Sequence, residues 1–163
     1  MDTAKAVEII EKAIELEREG HHFYSAEAEK SEHESVRKIF LDIAEEEKKH
    51  EKILRTEYNY LSQSGLFRHI EDLDQHSEFR DYVLSDDLIQ EINAAGHEAS
   101  AISSAIGLER RTIEFYTQRA ADTDDPQERE LYENLAEWEE DHVKYLSELN
   151  RRILQEKFFD GAE

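Results

Sequence analysis

The chain has 163 residues, enough for one domain that buries its own core without covalent staples. It contains no Cys, which excludes disulfides, Cys-ligated zinc and thiolate-held iron, so any iron would be held by oxygen and nitrogen. A formal charge of −21, from 41 acidic against 20 basic residues, argues against nucleic acid or an anionic membrane surface as partner.

No secretory signal opens the chain, since Met1–Lys5 leads directly into amphipathic sequence, and no apolar run approaches a membrane span. A soluble, cytoplasmic protein is the expectation. One Pro, five Gly and abundant Ala, Glu, Leu and Lys make a helical composition. Four long stretches carry apolar residues at helical spacing.

The first predicted helix covers residues 3–30, with Val7, Ile10, Ala13 and Ile14 on one face, then Glu17, then Tyr24 and Ala28. The second covers about 34–62: Val36, Ile39, Phe40 and Ile43 precede Glu47 and His50, and Leu54 and Leu61 follow. Residues 65–96 are less regular and long enough for a crossover along a bundle. Within them Ser85-Asp86-Asp87-Leu88 reads as the start of a short helix. The crossover aromatics Phe67, Phe79 and Tyr82 are expected to pack over the bundle or a neighbouring subunit, and Phe158 and Phe159 to dock another edge. A homodimer is the expectation from these.

The third long helix covers about 97–121, with Ile102, Ala105 and Ile106, then Glu109, then Tyr116 and Ala120. The fourth opens at Pro126, a favoured first helical position, and carries Leu131, Leu135, Glu139, His142, Leu146, Leu149 and Ile153.

These helices repeat. Leu16-Glu17-Arg18 with Phe23-Tyr24 returns as Leu108-Glu109-Arg110 with Phe115-Tyr116, and Ala44, Glu47 and His50 return as Ala136, Glu139 and His142. Every pair is offset by 92 residues, and so are the core positions Ile10/Ile102, Ala13/Ala105, Ile14/Ile106, Ala28/Ala120, Ile39/Leu131 and Leu54/Leu146. A helical hairpin has therefore been used twice. The fold class is all-α: a four-helix bundle of two pseudo-repeated hairpins joined by a long crossover, one domain over residues 1–163.

Residues three apart share a helix face, so Glu47 with His50, and Glu139 with His142, can converge on one ion. Carboxylates in an apolar interior are costly unless paired or bound to a cation. Two divalent cations would neutralise Glu17, Glu47, Glu109 and Glu139, with His50 and His142 completing the ligand set. Carboxylate and imidazole without thiolate suit two iron ions, with manganese or zinc as other choices.

Other polar residues read differently. Glu19 and His22 share the same spacing but belong to a solvated face, and His21, His33, His69, His76 and His97 to surface or structural roles. Tyr24 and Tyr116 lie two turns beyond Glu17 and Glu109. Each is a hydrogen-bond partner of a ligand carboxylate, a redox-active phenol, or a buried Tyr with an arbitrary partner. Trp138 reads as core, and Arg18 and Arg110 as surface residues.

The motifs Glu17-x6-Tyr24, Glu47-x-x-His50, Glu109-x6-Tyr116 and Glu139-x-x-His142 resemble the rubrerythrin branch of the ferritin-like superfamily, over all four long helices. The resemblance implies a non-haem di-iron centre that reacts with dioxygen or hydrogen peroxide, with the six matched residues as ligands. Two departures follow from the residues. Without Cys, the rubredoxin domain of many relatives is expected to be absent, leaving electrons to an external donor protein. Where those relatives carry a further carboxylate one turn after the third-helix Glu, this chain has Thr112, with Gly20 at its repeat counterpart and Glu114 off the inward face.

The expected function is a di-iron oxidoreductase for peroxide or dioxygen. The alternatives are an iron-binding or ferroxidase protein, and a non-enzymatic helical protein with a vestigial metal site.

Overall fold

A computed structural model describes residues 3–69, 84–92 and 96–159, the side chains of 157–159 excepted. Among them are five helices and no strand: α1 (Thr3–Lys30), α2 (Glu34–Ser64), α3 (Asp86–Glu91), α4 (His97–Asp122) and α5 (Pro126–Phe159). The long helices fall where the apolar periodicity predicts them, within two residues at the ends compared.

Local chemistry sets the ends. At the C-terminus of α2, Gly65 adopts φ 71°, a left-handed conformation that costs glycine little, and its N–H returns to the Leu61 carbonyl at 2.8 Å. Ser85 caps α3 by accepting from the Leu88 N–H at 3.2 Å. Asp125 caps α5, its Oδ1 accepting from the N–H groups of Gln127 and Glu128, each at 3.0 Å. Pro126 then begins the helix where its missing N–H has no partner to lose.

α1 packs along α2 and α4 along α5, giving two helical hairpins that meet through α1 and α4. The repeat extends into the hairpin turns. Arg37 sends its guanidinium to the carbonyls of Ala28 and Ser31, and its counterpart Arg129 does the same to Ala120 and Thr123. Each arginine thus satisfies carbonyls left open where the first helix of its hairpin ends.

Among the described residues the apolar core forms two clusters. One gathers the C-terminal half of α1, the N-terminal halves of α2 and α4, the C-terminal half of α5, and α3 through Leu88, Ile89 and Ile92. The other gathers Ile10, Ala13 and Ile14 of α1 with Leu54 and Leu61 of α2, Tyr116 of α4 and Leu131, Tyr132 and Leu135 of α5. Repeat partners such as Ile10 and Ile102 fall in opposite clusters, so the hairpins are related head to tail. Between the clusters lies a layer of buried carboxylates and imidazoles. Apolar burial on both sides, about 1.5–3 kcal/mol for each large side chain, is what holds that layer out of water.

Phe67 packs into the second cluster, as expected of the crossover. Phe79 and Tyr82, His76, and the side chains of Phe158 and Phe159 lie outside the described residues. Arg152 ties α3 to α5 through the Leu84 carbonyl at 2.8 Å and the Asp86 carboxylate. No helix among the described residues is long and apolar enough to cross a membrane.

Candidate metal centre

All six predicted ligand residues sit in the buried middle layer: Glu17 of α1, Glu47 and His50 of α2, Glu109 of α4, Glu139 and His142 of α5. None is more than 3% exposed, which for four carboxylates in one layer requires compensating charge. They divide into two overlapping groups, Glu17–Glu47–His50–Glu139 and Glu47–Glu109–Glu139–His142, each with ligand atoms within 4.8 Å of one another. Glu47 and Glu139 belong to both. Each group is thus three carboxylates and one imidazole, joined by two shared carboxylates.

The ligand atoms converge on the middle of the layer. His50 Nδ1 lies 2.8 Å from Glu139 Oε1 and 3.3 Å from Glu17 Oε2, yet neither approach is an aligned hydrogen bond. His142 Nδ1 lies 3.0 Å from Glu139 Oε2, 3.3 Å from Glu47 Oε1 and 3.6 Å from Glu109 Oε1. Glu17 Oε2, Glu47 Oε1, Glu109 Oε2 and both Glu139 oxygens are buried with no hydrogen-bond partner among the described residues. Buried acceptors of this kind are rare in folded proteins, and lone pairs aimed at a common centre are what a cation requires. The donor set therefore fits two oxygen- and nitrogen-ligated divalent ions.

Titration behaviour in the layer follows from the same crowding. Burial raises Glu17, with repulsion from Glu139 adding to it, and it raises Glu47 well above the carboxylate range, with Glu139 and Glu109 adding. Burial also pushes Glu109 up to about 7. Glu139 is the exception: burial pushes it up, but His50 and His142 on either side together hold it below the usual range. Burial disfavours the charged imidazoles, yet the carboxylates around them win, and both His50 and His142 are raised well above their ordinary value.

Each predicted tyrosine is fully buried and hydrogen-bonded to a ligand carboxylate, but across the repeat. Tyr24 donates to Glu109 Oε1, and Tyr116 donates to Glu17 Oε1. Burial and the neighbouring Glu raise both phenols well above their ordinary value, so they hold their protons.

The residues assigned elsewhere stay elsewhere. Glu19, His22, Arg18 and Arg110 are exposed. His21 Nδ1 lies 2.8 Å from the Ala44 carbonyl, His33 pairs with Glu98, His97 with Glu27, and His69 with Glu130. Trp138 is core, and it also stacks on His50, with centroids 5.3 Å apart and planes at 20°.

Sequence reasoning missed Glu46 beside the layer and, for Gly20, its close approach to Glu47. Glu46 is 5% exposed, and its Oε2 lies 2.7 Å from His142 Nε2. Its counterpart at the 92-residue offset is Trp138, and that break in the repeat was the available signal. Gly20 lies so close to Glu47 that a Cβ there would overlap the carboxylate. Thr112, its repeat counterpart, is buried with its hydroxyl 3.4 Å from the Leu108 carbonyl.

Fold and site together define an all-α, ferritin-like bundle with a buried carboxylate–histidine cluster between its hairpins. Residues 8–150 match the rubrerythrin family, and the chain belongs to it. No curated protein and no solved structure matches it individually. The family implies iron binding, and the cluster fits a di-iron protein.

Proposed function

We propose that Glu17, Glu47, His50, Glu109, Glu139 and His142 hold two iron ions, and that the protein is an oxidoreductase for hydrogen peroxide or dioxygen. The observation that carries this reading is the pair of four-residue groups sharing Glu47 and Glu139. Two ferrous ions held there would supply the two electrons that, with two protons, reduce hydrogen peroxide to two waters. The chain's own residues do the rest. Apolar clusters on both sides keep bulk water from the layer. Tyr24 and Tyr116 orient Glu109 and Glu17 and keep phenolic protons beside the centre. A donor protein would return electrons to the centre.

Thr112 favours a second reading. It adds no carboxylate where many rubrerythrins have one, and the resulting symmetric ligand set also suits iron oxidation without sustained peroxide turnover. Anaerobic loading with ferrous iron, elemental analysis, and peroxide consumption with a small-molecule reductant separate the readings. Two irons per chain with many turnovers support the oxidoreductase. Two irons oxidised once support the ferroxidase, and a chain that binds no iron leaves only a helical protein with a vestigial site.

A further inference from the structure

We propose that the two halves of the centre are inequivalent, and that Glu46 makes the His142 half the tighter-binding one and the first to fill. The inference rests on the two-metal reading above and goes beyond it. At the 92-residue offset all six ligand residues and both tyrosines repeat, but Glu46 is matched by Trp138. Each of these two reaches across to the histidine of the other hairpin, and they do opposite things to it.

Glu46 lies behind the His142 ring. Its Oε2 is 2.7 Å from Nε2, while Nδ1 faces Glu139 and Glu47 at 3.0 and 3.3 Å. A neutral imidazole carries one N–H, and a carboxylate acceptor at Nε2 puts it there. When a cation displaces the Nδ1 proton, the proton left on the ring stays at Nε2, the Nδ1 lone pair faces the cluster, and the negative charge behind the ring makes it a better donor to that cation. Trp138 instead lies against the face of the His50 ring. An indole offers one N–H donor and no acceptor, so it packs the ring but cannot accept the imidazole proton.

Carboxylate partners of metal-bound histidines typically change metal affinity about 10–100-fold. The Glu47–Glu109–Glu139–His142 group should therefore bind its ion more tightly than the Glu17–Glu47–His50–Glu139 group by a factor in that range. Glu46 acts through His142 and is a positioning residue.

The test uses zinc, which is redox-silent, on the metal-free full chain. Competition with a chromophoric chelator reads two stepwise dissociation constants, and NMR of the protein with 15N-labelled histidine reads the filling order. The expected result is constants separated by about 10–100-fold. At one equivalent the His142 signals should shift ahead of His50, with an exchange-protected Nε2–H on His142. Glu46→Gln keeps the volume and removes the charge. It should weaken the tighter step about tenfold, leave the other step nearly unchanged, and speed exchange of the His142 N–H. Equal constants in the unmodified protein, His50 filling first, or equal losses at both steps in Glu46→Gln would each overturn the proposal. If Glu46→Gln does not fold, filling order in the unmodified chain decides. Failure to bind any zinc or iron would instead overturn the two-metal reading on which it stands.

Discussion

Tyr24 of one hairpin gives its hydroxyl hydrogen to Glu109 of the other, 85 residues along the chain. Tyr116 returns the same bond to Glu17. Each bond occupies Oε1 of its carboxylate, while Oε2 remains without a hydrogen-bond partner in the layer. The tyrosines therefore orient one residue of each group and bind the hairpins together.

Replacing either tyrosine by Phe removes the hydroxyl and leaves the ring packing. Tyr24→Phe and Tyr116→Phe should each cost about 1–2 kcal/mol in stability, from the lost buried hydrogen bond. Two metals per chain should remain by elemental analysis, while the rate of oxidation by peroxide changes. Loss of half the metal in either variant would show that the hydroxyl is needed for binding and not for orientation.

Shared and unshared carboxylates should differ in a countable way. Glu47 and Glu139 serve both groups, so Glu47→Ala or Glu139→Ala should drop metal content toward zero. Glu17→Ala or Glu109→Ala should leave close to one ion per chain. Glu19→Ala and His22→Ala, on the exposed face, should keep both. Metal loss in these two controls equal to that in Glu47→Ala would place the wrong face of α1 against the site.

Two glycines make a matched pair. In an open helical position Ala is more favourable than Gly by about 1 kcal/mol. A Cβ at Gly107 would meet nothing within 4 Å among the described residues, so Gly107→Ala should raise the melting temperature by a few degrees. A Cβ at Gly20 would overlap the Glu47 carboxylate, so Gly20→Ala should displace that shared ligand and lower metal affinity in spite of its better helix propensity. Calorimetric melts and metal titrations of the two variants check the contrast.

Proton and metal should compete for the layer. Glu17, Glu47, His50 and His142 are raised in the folded metal-free chain, and Glu109 stands at about 7 against an ordinary 4.5. Where the folded state binds more protons than the unfolded one, stability falls with rising pH. These groups contribute fully below their unfolded values, and the contribution is lost as pH rises through the folded ones. Glu139 is lowered, so its contribution is present above 4.5 and lost only in acid. The melting temperature of metal-free protein should thus fall from about pH 5 to about pH 8. Bound metal replaces the protons, so its stabilisation should grow over the same range. At about a thousandfold excess over the dissociation constant it amounts to about 4 kcal/mol, on the order of 10 °C for a domain this size. A melting temperature unchanged after verified metal removal at neutral pH would refute the linkage.

By itself the sequence determined the helices and the inward residues. Apolar spacing places Glu17, Glu47, His50, Glu109, Glu139 and His142 on buried stripes, and one 92-residue offset relates both halves, because periodicity is a property of a single helix. Only the tertiary structure decided what crosses between helices. Which carboxylates are shared, that Tyr24 serves Glu109 and not its own-helix Glu17, and that Gly20 makes room for Glu47 depend on how helices rotate and approach. Glu46 shows the boundary most directly. Its mismatch with Trp138 is visible in the sequence, but a carboxylate beside the inward stripe reads as one more solvated Glu until packing against α5 brings it to His142.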